Sequence, residues 1–344
     1  MIGIRKLYPP ASVQRSFDAG MPEWLTHFIR ERVPDLYRIV HTDRAKQEQP
    51  AETPFSPDSA SRVVGNLTAL NDCRYVNKYL EGANAQLSTG EYLVSCVETA
   101  EQRQQRLLGG KRGPFYFLFF FFDYLIMRVW PKLPYLKHLY FGLTRGRYRV
   151  LSEMEVYGRL YSCGFRLVDV RRVQGLTFFL ARKEEDPDFN EQASYGPLIT
   201  LPRCGKNGQP IKVYKLRTMA PYSEYIQEFI YERYGLESGG KIKDDPRINP
   251  VGRILRRYWI DELPMLINLL KGDLKLFGVR PLSAHYLSLY DQDFIRYRQR
   301  FKPGLIPPCY VDLPQTMEEI IASEERYLRA YERRPDRKST RLNS

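Results

Sequence analysis

Hydrophobic and polar positions divide the chain into stretches of different period. Residues 1–60 carry proline pairs and the polar run QEQPAETPFSPDS with little periodicity, which predicts a short N-terminal element followed by a loose linker. From 61 to 183 the pattern turns α/β. NKYLEGANAQL has helical spacing, and STGEYLVSCVET reads as a turn feeding an apolar strand. SEMEVYGRLYSCGF reads as a helix with a glycine stop, with RLVDVRRV and GLTFFLARK after it as paired strands. The acidic, turn-rich stretch 184–194 is a predicted boundary. Beyond it, PLITLPR and IKVYKLRTM flank a turn containing Gly205 and Gly208, the pattern of a β-hairpin. Asn249 before Pro250 predicts a helix start, and Pro264 forbids that helix from running on unbroken. A kink or fresh start is expected at Asp261 to Pro264, with a stop at Lys271–Gly272. MEEIIASEERYLRAYERR is a charged amphipathic helix expected to close the fold, so the second domain spans 195–334. Residues 335–344 lack structural logic and read as a cloning or assembly scar.

One segment departs from these patterns. FYFLFFFFDYLIM, Phe115 to Met127, is 13 residues long and interrupted by Asp123. Crossing the hydrocarbon takes about 20 apolar residues, so the segment is too short to span. Two readings stay open: a buried core element, or a segment lying in or dipping into a membrane interface. In the second, Lys111, Arg112, Arg128, Lys132 and Lys137 would meet anionic headgroups.

Composition narrows the classes. The 344 residues are 43% hydrophobic and 27% charged, with mean hydropathy −0.46, so most of the chain is expected to fold as ordinary soluble protein. A net charge of +13 suits nucleic acid, an anionic leaflet or a phosphorylated small substrate, without choosing among them. Five scattered cysteines and four distant histidines form no metal-ligand spacing and point to a reduced, cytosol-facing protein. The start MIGIRKLYPPAS has no apolar core of a secretory signal.

Candidate chemistry concentrates after residue 195. Lys215 and Arg217 are two apart on a strand and so share a face, to be met by anions or water. Arg253, Arg256 and Arg257 fall at i, i+3 and i+4, making one basic helix face. Asp261 and Glu262 sit at the expected fresh helix start, where free N–H groups and the dipole favour the anion. Helix capping is the ordinary role for an isolated Asp-Glu pair. Beside several arginines and a breaker proline, the pair also suits attack on a phosphate ester, one carboxylate as nucleophile and one holding Mg²⁺.

The ordered series K-x-x-K-L-R-T-M, D-D-P-R-I-x-x-x-G-R-x-L-R-R, D-E-L-P, L-x-N-L-L-K-G-D and G-V-R-P-L resembles the bacterial sugar transferases, monotopic phosphoglycosyl transferases, over about residues 194–310. The resemblance implies an α+β catalytic domain of hairpin and kinked, amphipathic, membrane-associated helices. It implies that Asp261 attacks the β-phosphorus of a UDP-sugar and releases UMP. A polyprenyl phosphate, expected to be undecaprenyl phosphate, then takes the phosphosugar, initiating exopolysaccharide, O-antigen or other glycan assembly. Mg²⁺ would lie at Asp261 and Glu262, and Arg280 and Pro281 match the motif associated with the nucleotide. Lys215, Arg217, Arg247, Arg253, Arg256 and Arg257 match basic positions available to phosphates. The implied place is the cytoplasmic face of the bacterial inner membrane, monotopic or peripheral, with membrane lipids and glycan-assembly proteins as partners. Met265 and Val279 depart from the family's usual residues, and RYRQRFKPGLIPPCY is similar to its segment ending in a Lys-Pro-Gly turn. The run Arg296, Arg298, Arg300 and Lys302 there is read as meeting headgroups or as a solvated face.

The helix–strand–strand close of the first part resembles the end of a smaller α/β methyltransferase-like domain, without a G-x-G-x-G loop before it; a degenerate scaffold is the better reading. A catalytically silent sugar-nucleotide-binding or scaffolding relative is the alternative function, disfavoured by intact Asp261, Glu262 and Arg280. A nucleic-acid binder rests on charge alone, with no recognisable DNA or RNA module, so no nucleic-acid partner is expected.

Overall fold

A computed structural model describes residues 22–33, 36–41, 61–109, 113–190, 195–235, 242, 244–314 and 316–333. The prolines and polar run at 42–60, the cations Lys111 and Arg112, and the tail from 334 lie outside the described residues. Two compact units form. The first comprises residues 1–195 with 220–230, and the second 196–219 with 231–344.

The first unit is a mixed five-stranded sheet with helices. In chain order its elements are α1 (Glu23–Arg32), β1 (Leu36–His41), β2 (Ser61–Asn66), α2 (Val76–Ala85), β3 (Tyr92–Val97) and α3 (Ala100–Leu108). There follow α4 (Pro114–Tyr124), α5 (Leu136–Thr144), α6 (Glu153–Ser162), β4 (Phe165–Val173) and β5 (Leu176–Lys183). Strand order is β1-β2-β3-β5-β4, with β1, β2 and β3 parallel and the β4–β5 pair antiparallel. β3 and β5 are central, and their near-continuous apolar runs are buried accordingly. Residues 23–41, within the stretch read as a short N-terminal element and a loose linker, supply a helix and an edge strand. WLTHFIRERV puts Leu25, Phe28 and Ile29 on one face, and they pack with Val63, Val94, Phe178 and Leu180. Each such side chain taken out of water stabilises by about 1.5–3 kcal/mol, and that outweighs the weak local signal.

The expected helices at 76–85 and 153–162 and the paired strands after them are present as read. α3 starts in a capping box, Thr99 with Gln102. Glu155 on α6 is fully buried and meets Arg128 at 3.0 Å, Arg159 at 2.8 Å and Lys132 at 3.7 Å. Residues 220–230 follow the hairpin in sequence yet pack in this unit. There Tyr222 stacks on Tyr195 and lies under the Arg159 guanidinium at 4.5 Å.

The second unit is small-sheet α+β. β6 (Leu198–Cys204) and β7 (Pro210–Leu216) form the expected antiparallel hairpin. α7 (Gln227–Tyr234) leads on to α8 (Pro250–Arg257), a 3-10 turn (Ile260–Glu262) and α9 (Met265–Leu270). Next come β8 (Lys275–Phe277), α10 (Ala284–Leu287), α11 (Gln292–Gln299), β9 (Gly304–Ile306), α12 (Cys309–Asp312) and α13 (Met317–Arg333). β8 and β9 pair in parallel. Their turns cross so closely that a Cβ on Gly304 would lie 2.2 Å from the Gly278 nitrogen, which only two glycines permit.

In the basic run before β9, Arg298 is turned inward while Arg296 and Arg300 are exposed. Arg298 is buried and doubly bonded to Glu324 of α13 at 2.8 and 3.0 Å, and it also donates to the Arg280 carbonyl. Arg296 pairs with Asp293 and Arg300 with Glu332. Among the described residues no helix is long and apolar enough to cross a membrane.

Lys275, on β8, is 2% exposed with its Nζ 3.5 Å from the centre of the Tyr331 ring. Burial, with repulsion from Lys302, pushes its ammonium down to about 8 from 10.5. Between those two values the unfolded chain holds more protons than the folded one, so this residue makes stability rise with pH across about 8 to 10.5. Chemical denaturation of Lys275→Met should therefore show a flatter pH response than wild type in that window, and greater stability than wild type at pH 7.

Candidate active site

The hairpin register builds one wall of the site. Arg203 lies opposite Ile211, Leu201 opposite Val213 and Ile199 opposite Lys215, so Arg203, Val213 and Lys215 project from one face. Val213 packs with Met265 and Leu274, fastening α9 beneath that face. The clamp is Asn268, fully buried in α9. It accepts from the Tyr214 N–H at 3.0 Å and donates to the Lys212 carbonyl at 2.7 Å and to Asp273 at 3.0 Å. Asn268→Ala leaves a strand donor and a strand acceptor without their partner, each costing about 1–3 kcal/mol. A urea midpoint should fall by at least the equivalent of about 2 kcal/mol.

α8 reaches its place through Thr218. Asn249 caps the helix by accepting from the Gly252 N–H at 2.7 Å, as the Asn-Pro pair predicts. An added Cβ on Gly252 would sit 2.2 Å from the Thr218 carbonyl, and Arg256 donates to the Thr218 hydroxyl at 2.9 Å. The break expected near Pro264 comes earlier. Trp259 takes the left-handed conformation at φ 58°, ending α8 and turning the chain into the Ile260–Glu262 turn.

Asp261 and Glu262 thus precede α9 by a turn rather than cap it, and the partner of Glu262 is a cation. Lys215 Nζ donates to Glu262 Oε1 at 2.6 Å, with both side chains mostly buried. A contact that short fixes the position of the Glu262 side chain. Asp261 is half-buried beside it. A small solvent-open cleft is lined by Lys215, Glu262, Met265, Arg203, Arg280 and Pro281, with Leu305 and Pro307. Burial and the neighbouring Arg280 charge push the Arg203 guanidinium below its ordinary range. Two guanidiniums that repel across a cleft form a site an anion would relieve.

The remaining predicted residues go elsewhere. Arg217 donates to the Gly196 carbonyl at 2.9 Å. Arg247 is buried and bonded through both its backbone and side chain to Asp245. Burial of Asp245 opposes ionisation, yet Arg247 holds its carboxyl below the usual range. Arg253 and Arg257 are exposed on α8. The structure therefore brings Lys215, Glu262, Arg280 and Pro281 together with Arg203, which was not singled out from sequence. Its signal lay in the hairpin register.

The carboxylates supply hard oxygen donors. Among the described residues no cluster of three or more His, Cys, Asp or Glu exists to cage a metal. Mg²⁺ needs no such cage, taking one or two carboxylates with substrate phosphates and water, and adjacent Asp261 and Glu262 meet that requirement.

This cleft lies within the part of the chain that is similar to known proteins. Residues 190–338 match the family described as bacterial sugar transferase. The chain is 38% identical over 110 residues to the exopolysaccharide production protein ExoY of Sinorhizobium fredii (strain NBRC 101917 / NGR234), covering 30% of this chain and 47% of that one. It is 40% identical over 108 residues to the undecaprenyl-phosphate galactose phosphotransferase of Salmonella typhimurium, covering 30% of this chain and 22% of that one. The match thus spans half or less of the length of these relatives. A 16S rRNA methyltransferase structure from T. thermophilus is similar at 15% identity and a TM-score of 0.15, covering 51% of this chain and 33% of that one. A likeness so slight carries no argument about the first unit.

Proposed function

We propose that the chain transfers a sugar phosphate from a UDP-sugar to a polyprenyl phosphate, undecaprenyl phosphate being the named acceptor of a relative. The observation that carries this reading is the cleft in which Lys215 holds Glu262 opposite Arg203 and Arg280, with Asp261 beside it, inside the region that matches the family. An Asp261 carboxylate oxygen attacks the β-phosphorus of the donor. The bond from that phosphorus to the bridging oxygen breaks, and UMP leaves with the electron pair. A phosphate oxygen of the acceptor then attacks the phosphorus of the acyl-phosphate, and the Asp261 carboxylate leaves, giving the lipid diphosphosugar. Arg280 and Arg203 bind the diphosphate, and Lys215 keeps Glu262 in place. Mg²⁺, held by Asp261 and Glu262, would neutralise diphosphate charge.

The same reading places the second unit at a membrane. Val251, Ile254, Tyr258, Leu263, Leu266 and Leu270 are exposed along α8 and α9, and Leu270 is 89% exposed. With Arg253 and Arg257 beside them, this is the surface of an interfacial amphipathic element. It flanks the carboxylate pair, where a lipid-borne phosphate would arrive from the cytoplasmic face. The test is UMP release from a panel of UDP-sugars with detergent-solubilised undecaprenyl phosphate and Mg²⁺. Release that requires the lipid supports the reading, and none from folded protein with any donor overturns it.

A further inference from the structure

α4 and α5 of the first unit are amphipathic in the wrong direction for water. On α4, Phe115, Leu118, Phe119 and Phe122 fall at i, i+3, i+4 and i+7, and all face solvent, Phe115 at 75% and Phe122 at 50% exposure. Along α5, Tyr135, Leu139 and Leu143 recur every fourth residue and are likewise exposed, Tyr135 at 89%. The inward positions are the anchored ones. Asp123 is buried and bonded twice by Arg103 at 2.8 Å, while Tyr140 is buried with Met127 and Val150. The exposed faces are thus held outward by a well-packed base. Exposed apolar faces of this kind in water mark an interaction site.

Charge selects the occupant. From Tyr124 to Ser152 the chain contains six Lys and Arg and no Asp or Glu, although Arg128 and Lys132 turn to the buried Glu155. Lys137, Arg145 and Arg147 are exposed on or just after α5. The lone acid of α4, Asp123, is neutralised by Arg103. Exposed aromatics rimmed by unpaired positive charge match the boundary between acyl chains and anionic headgroups. At 1.5 Å per residue the eight residues Phe115–Phe122 reach about 12 Å, enough to enter one leaflet and too little to cross two.

We propose that α4 and α5 form a lipid-docking surface of the first unit, inserted into the interface of an anionic membrane. This surface is separate from the one on α8 and α9 and does not depend on the catalytic reading. The test is flotation of the full chain with vesicles of phosphatidylcholine, with and without phosphatidylglycerol, comparing wild type with Phe119→Ser/Phe122→Ser. The bound-to-free ratio should drop by about tenfold or more in the variant, since two Phe side chains leave the apolar phase. Wild-type binding should weaken without phosphatidylglycerol and in high salt. Unfolding temperature is measured alongside, because Phe119 and Phe122 are 38% and 50% exposed and each has some packing to lose. Detergent-phase UMP release should be unchanged, which separates this proposal from the catalytic one. As an independent reading, the indole introduced by Phe119→Trp should be quenched by brominated lipid. Equal flotation of variant and wild type would overturn the proposal, as would an unquenched indole. A drop in native mass from dimer to monomer at unchanged flotation would assign the surface to a second copy instead.

Discussion

Replacing Asp261 by Asn is expected to cut UMP release by about a thousandfold or more while leaving the protein folded. The amide keeps the volume and polarity of the carboxylate but lacks the charge and nucleophilicity needed to open a phosphoanhydride. Asp261 is half-buried in a short turn, so the swap removes little packing. Glu262→Gln should act differently. It weakens the 2.6 Å contact with Lys215, freeing that ammonium and loosening the wall of the cleft, so donor affinity should suffer along with turnover. Steady-state kinetics on both variants, beside a stopped assay for radiolabelled phosphosugar bound to protein, would read the difference. Wild type should trap label in the absence of acceptor and Asp261→Asn should not. Equal UMP release from wild type and Asp261→Asn would remove this residue as nucleophile.

The largest effect on stability is expected from Glu155→Ala, in the first unit. Its carboxylate is fully buried among Arg128, Arg159 and Lys132, and only the first two bond or pair closely with it. Burial alone would favour the neutral acid, but Lys132, Arg128 and Arg159 together hold the carboxyl well below its usual range. Removing it strands three cations in the interior, and breaking a buried ion pair from one side costs about 3–5 kcal/mol. Such a loss is of the order of half a domain's stability. The pH response follows from the same depression. The unfolded chain takes up the proton more readily than the folded one, so this stabilisation is complete above about pH 4.5 and is lost as pH falls further. Stability curves of wild type and variant should therefore lie far apart at pH 7 and converge in acid. Parallel curves down to pH 3 would show that Glu155 is not held as an anion.

The hairpin, the Asn249 cap and the interruption before Met265 were legible because each depends on local chemistry: alternation, a capping side chain, a ring without an N–H. The carboxylate pair and the Val-Arg-Pro turn were legible as an ordered motif. The local rule failed for the placing of the anion. Helix dipole arguments put Asp261 and Glu262 at a helix start, whereas a left-handed Trp259 turns the chain a step earlier and Lys215 supplies the positive charge. Among the cations, sequence treats all arginines of the basic stretch alike. Only packing separates Arg280, which lines the cleft, from Arg247, consumed by Asp245, and Arg298, consumed by Glu324.

The Phe115 segment shows the same division from the other side. Its apolar length excluded a membrane crossing, but a buried core helix and an interfacial one have the same composition. What the structure adds is the Arg103–Asp123 pair, which turns the polar edge of α4 inward and leaves its phenylalanines outward. By itself the sequence determined the hairpin, the Asn249 cap and most helices and strands, because those follow from contacts a few residues apart. Which charges are spoken for, which arginine joins the cleft and which apolar face is left uncovered were decided by tertiary structure. Those outcomes depend on partners 20 to over 40 residues away, such as Asp123 for Arg103 and Glu262 for Lys215, and no local pattern encodes them.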